Sequence, residues 1–156
     1  MENFGLDLSL EVTEGSTHNL GHLFLYLRLR ACTFNPLNPK PELVVLSRGT
    51  DWSLKASQPP VTNDQVAKLC LKLRNAGFPE ALPKVGARKV GLAGWQHILF
   101  RVCLSNTENS HEKSLDLVLE YGGIEGEGAD AIRSVWTTLV ELAGLPGNEK
   151  WIKGTY

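Results

Sequence analysis

Apolar residues recur at every second position in two runs near the start of the chain. The first is Phe4, Leu6, Leu8, Leu10 and Val12, and the second is Leu23, Leu25, Leu27 and Leu29. Period two places successive side chains on opposite sides of an extended backbone, so each run predicts a strand with one face on a core. The alternate face of the second run carries Phe24, Tyr26, Arg28 and Arg30. The connection that follows, NPLNPKPE, is hostile to ladder pairing because proline lacks the amide donor. ELVVLSR then resumes the extended pattern, which predicts a hairpin with a long loop.

The pattern changes after the polar stretch TDWSLKASQPP. In VTNDQVAKLCLKLRNAGFP the apolar residues Val66, Leu69, Cys70 and Leu73 follow helical spacing. Thr62 with Gln65 three residues later forms a capping-box pattern, and Val61 with Val66 fits the hydrophobic staple around it. Gly77 is placed to end this helix in a left-handed turn. A second helix is predicted over 130–143, where Ile132, Val135, Trp136, Leu139 and Ala143 form the apolar stripe.

Between the helices lie a weak, glycine-interrupted strand candidate over 84–92 and two strong alternating strands, WQHILFRVCLS and KSLDLVLEY, joined by NTENSHE. The second half thus resembles the first in order. The helices end in AGFP and AGLP, and Cys32 of RACTF aligns with Cys103 of RVCLS. This suggests an internal β-β-β-α duplication with pseudo-repeats 1–79 and 80–146. The expected fold is α+β, a mainly antiparallel sheet of about six strands with two helices on one face, forming a single globular domain over 1–156.

Register is predicted by keeping apolar residues opposite apolar ones, because a one-residue slip turns a whole face from core to solvent. In the first hairpin this places Leu29 opposite Leu43, Leu27 opposite Val45 and Arg30 opposite Glu42. In the second it places Val102 opposite Leu115, Phe100 opposite Leu117 and Arg101 opposite Asp116.

Composition narrows the functional classes. The chain has 156 residues, a formal net charge of -1 and no block of like charges, so nothing drives general phosphate or nucleic-acid binding. Its N-terminus is acidic and alternating, unlike a basic export signal, and its longest apolar stretch is too short for a membrane helix. The three cysteines, Cys32, Cys70 and Cys103, are too few and too scattered for a disulfide framework. A cytoplasmic, reducing compartment is the expectation.

Candidate chemistry is sparse. His18 and His22 have the four-residue spacing that converges on zinc in a helix, but in an extended chain they lie about 13 Å apart. No metal and no cofactor are expected. His97 and Cys103 share a strand face yet stand about 20 Å apart along it, so they do not form a catalytic pair. GGIEGEG precedes a helix, but Glu125 and Glu127 would repel a phosphate. Neither a nucleophile elbow nor a phosphate loop is present.

Trp136 falls on the apolar helix stripe and Trp95 begins a strand, whereas Trp52 and Trp151 lie in polar surroundings, pinned to the body or offered to a partner. The reading that follows is a non-catalytic protein-binding module of the immunity-protein, inhibitor, chaperone or adaptor type. Its partner surface would use Phe24, Tyr26, Arg28, Arg30 and Arg101, with Trp52 on a neighbouring loop. The alternative is a small-molecule-binding domain or enzyme whose pocket, between sheet and helices, receives His97, Cys103 and Tyr121. Self-pairing of an exposed sheet edge, giving a homodimer, is a third reading.

Overall fold

The computed structural model describes residues 5–16, 21–32, 40–49, 51–82, 85–89, 94–106, 108–119 and 121–145. The chain runs β1 (Gly5–Ser16), β2 (His22–Cys32), β3 (Glu42–Arg48), β4 (Leu54–Ser57), α1 (Asn63–Asn75), β5 (Gly86–Lys89), β6 (Gly94–Ser105), β7 (Ser110–Leu119), β8 (Tyr121–Glu125) and α2 (Ala129–Leu142). Six strands form one antiparallel sheet in the order β4-β3-β2-β1-β6-β7, and β5 and β8 form a separate two-stranded ribbon. The fold is α+β, as the two periodicities predict.

β1 lies in the middle of the sheet, laddered on one side to β2 and on the other to β6. Its alternation explains the placement. Leu6, Leu8, Leu10 and Val12 are buried on the inner face beside Leu25, Leu27 and Leu29 of β2 and Ile98, Phe100 and Val102 of β6. The helices close this face. α1 contributes Val66, Leu69 and Leu73, and α2 contributes Ile132, Val135, Trp136 and Leu139, all in the same apolar cluster as the strands. Phe100 and Trp136 meet edge to face, ring centroids 6.1 Å apart.

The α1 start matches its sequence signature. Thr62 is extended and accepts from the Gln65 amide at 3.2 Å, while the Gln65 side chain accepts from the Thr62 amide at 2.9 Å. Val61 and Val66 are both buried. Gly77 follows the helix with φ 104°, the left-handed conformation that the ending requires.

Four expectations are corrected or refined. The sixth strand of the main sheet is β4, from the stretch read as a polar connection; β5, within the weak candidate 84–92, pairs with β8 instead. All four β4 residues are exposed at the sheet edge, so no burial pattern marks the strand. The β6–β7 register is two residues from the predicted one, with Phe100 opposite Leu115 and Arg101 opposite Ser114. The cause is a shorter turn: Asn106 donates its amide to the Asn109 carbonyl at 2.8 Å, and its side-chain oxygen accepts from the Glu108 and Asn109 amides. Ser110, His111 and Glu112 therefore join the strand. A two-residue slip preserves every face, which is why apolar matching does not detect it.

The first hairpin has the predicted register, with Leu29 opposite Leu43 and Arg30 opposite Glu42. In β2, however, the pairing with β1 shifts so that Val12 faces Leu25 and Thr13 faces Leu23. Phe24 is the extra residue of this bulge. It packs partly against the core, and Leu23 leaves the buried row. As for the suggested duplication, β1 pairs with β2 while β5, its counterpart in order, pairs with β8, so the pairing is not repeated.

Candidate binding face

Both helices cover one face of the six-stranded sheet, and no described element covers the other. Antiparallel partners project to the same side, so the ladder registers define rows across this outer face. One row reads Glu42, Arg30, Asp7, Cys103 and Glu112. The next reads Val44, Arg28, Ser9, Arg101 and Ser114, and the third Leu46, Tyr26, Glu11, Leu99 and Asp116.

The arginines are differently placed. Arg28 meets Asp7 with two parallel hydrogen bonds, Nε to Oδ1 at 3.1 Å and Nη2 to Oδ2 at 2.8 Å. The bidentate geometry fixes the guanidinium, and the hydrogen bond and charge of Asp7 raise its pKa above an already high value. Arg30 donates to Glu42 at 3.1 Å. Arg101 is exposed and, among the described residues, forms no ion pair; its cross-strand neighbours are Ser9 and Ser114. His97 bonds Asp116 of β7 at 2.5 Å.

Tyr26 is half-buried among these charges, between Leu46 and Glu11. Trp95 lies further along β6, and its ring covers Gly15, which is buried although it has no side chain. Phe24 alone of the predicted aromatic and arginine residues is drawn away from the face, by the bulge. Trp52 is at the β3–β4 turn, 65% exposed, with φ 66°. That left-handed backbone is uncommon for a bulky residue. The turn is held by several bonds. The Trp52 amide donates to the Gly49 carbonyl at 3.0 Å, and Arg48 donates to the carbonyls of Trp52 and Leu23. Ser53 donates its hydroxyl and amide to Asp51, holding that carboxyl below its usual pKa. His22 packs on the Trp52 ring at 5.0 Å.

β1 begins at Gly5, on the outer-face parity. An open cleft of about 330 Å³ lies there, lined among others by Asp7, Arg30, Cys32, Lys40, Glu42 and Cys103. Cys103 and His97 therefore share the strand parity of the outer face rather than entering the space between sheet and helices, which Leu8, Leu10, Phe100 and Trp136 fill. The side chain of Tyr121 lies outside the described ones, as do His18 and Trp151. Among the described residues no group of three His, Cys, Asp or Glu is placed to hold a metal ion. No helix among them is long and apolar enough to cross a membrane.

The residues that sequence reasoning missed on this face are Asp7, Glu11 and Glu112. The strand parity of Asp7 and Glu11 was visible but their neighbours depend on strand order, whereas Glu112 fell in the stretch read as a loop. Comparison with protein-family models and with curated proteins gives no match.

Proposed function

We propose that this chain is a non-catalytic protein-binding module whose contact surface is the outer face of the six-stranded sheet. One observation carries the reading: a wide face, free of any described covering element, on which ion pairs hold the long side chains in place around Tyr26 and Leu99. Side chains already ordered before contact lose less conformational freedom on binding, which favours recognition. Trp52 adds a large exposed aromatic at the adjoining edge, the residue type most enriched in binding hot spots.

The test is affinity capture with tagged protein beside a Tyr26→Ala, Leu99→Ala variant, chosen because neither change alters charge. The expected result is a stoichiometric protein bound by the wild type and lost by the variant, with unchanged circular dichroism. A partner retained by the folded variant overturns this surface. The cleft beside Gly5 supports a second reading, a small polar ligand held by Asp7, Arg30 and Lys40. A retained metabolite with no protein partner would favour it.

A further inference from the structure

The arginines suggest a basic surface when read along the strands, but the observed registers reverse that impression. Arg101 has Ser9 and Ser114 directly opposite, and its diagonal positions are occupied by Asp7 and Glu11 on β1 and by Glu112 and Asp116 on β7. Diagonal neighbours on one sheet face lie about 7–8 Å apart. All four positions diagonal to this one arginine are thus acidic. Asp7 is engaged by Arg28, and Asp116 by the His97 ring, whereas Glu11 and Glu112 have no ion pair among the described residues. Arg28 and Arg30, in turn, spend their charge on Asp7 and Glu42. The surplus charge on the β1, β6 and β7 part of the face is negative.

Resting on the protein-binding reading above, we propose that this part of the face docks a cationic protein surface, with partner lysines or arginines received by Glu11, Glu112 and Asp116 around Arg101. Complementary charge raises the encounter rate and excludes partners of the wrong sign. Leu99, between Glu11 and Asp116 in the same row, supplies apolar contact at the centre. Val118, exposed on β7 next to His97 in register, extends that contact toward the sheet edge.

The test uses isotope-labelled full-length protein and two peptides of equal length, one lysine-rich and one glutamate-rich, followed by amide chemical shifts at low salt. The lysine-rich peptide is expected to shift amides of Glu11, Leu99, Arg101, Glu112 and Asp116, with affinity falling as salt rises. Glu11→Gln, Glu112→Gln, Asp116→Asn should weaken it by about tenfold, and the asparagine keeps an oxygen for His97. Shifts confined to other surfaces, or binding unchanged in the folded triple variant, overturn the proposal. The glutamate-rich peptide landing on this face also overturns it, while leaving the face itself as the binding surface. The uncharged Tyr26 and Leu99 variant separates that outcome from failure of the protein-binding reading.

Discussion

A Cβ built on Gly15 would stand 2.2 Å from the Trp95 ring, a distance no packing tolerates. The glycine is therefore the seat of the tryptophan, which lies across it on the outer side of the sheet. Gly15→Ala forces the indole from its place and is expected to destabilise the fold by about 1–3 kcal/mol, measured by urea unfolding. The cysteines also differ residue by residue. Burial pushes the Cys70 thiol up, whereas Cys32 and Cys103 line the open cleft. A soluble thiol reagent at neutral pH should label Cys32 and Cys103 before Cys70, as read by mass spectrometry of digests; Cys70 reacting first would contradict this placement. Both cleft cysteines share the strand parity of the outward arginines, Cys32 with Arg30 on β2 and Cys103 with Arg101 on β6.

At the scale of elements, α1 was legible in detail because its signals are local. The cap, the reciprocal glutamine, the staple and the terminal glycine all act within a few residues of one another. Thr62→Ala leaves the Gln65 amide without its acceptor and should cost about 1 kcal/mol, a loss measurable as an earlier denaturation midpoint. α2 begins at Gly128 with no side-chain cap, so its stability comes from its buried stripe instead. The strands divide in the same way. β1, β2, β3, β6 and β7 each have one face on the core and show alternation. β4 is exposed throughout, and its four residues have no burial contrast to leave a pattern. The β2 bulge at Phe24 likewise has no local signature: it is visible only as a shift in the partner across the ladder.

For the whole molecule, the decisive contact layer is the one between the sheet and α2. Trp136 is fully buried against Phe100 of β6, joining a helix to the strand that pairs with the chain's first strand. Trp136→Ala removes the largest side chain of that layer and should cost about 3–5 kcal/mol, followed by circular dichroism during urea denaturation. The two helices are also linked directly, Lys72 donating to Thr138. With the inner face filled by Leu8, Leu10, Phe100 and Trp136, the open cleft and the cross-strand ion pairs lie on the outer face, and this is why the protein-binding proposal is preferred to an internal pocket.

The sequence by itself determined the two helices and the five half-buried strands of the main sheet, and which side of each strand meets the core, because periodicity is a property of consecutive residues along one backbone. It thereby determined that Arg28, Arg30 and Arg101 face away from the leucines. Only the tertiary structure decided that β1 lies between β2 and β6, that Asp7 faces Arg30 and Cys103 in one row and clasps Arg28 from the next, and that the four positions diagonal to Arg101 are acidic. Strand order and register follow from burying all the apolar faces together against two helices, and a two-residue slip costs no single strand its pattern. The charge that the outer face presents is therefore set by neighbours far apart along the chain.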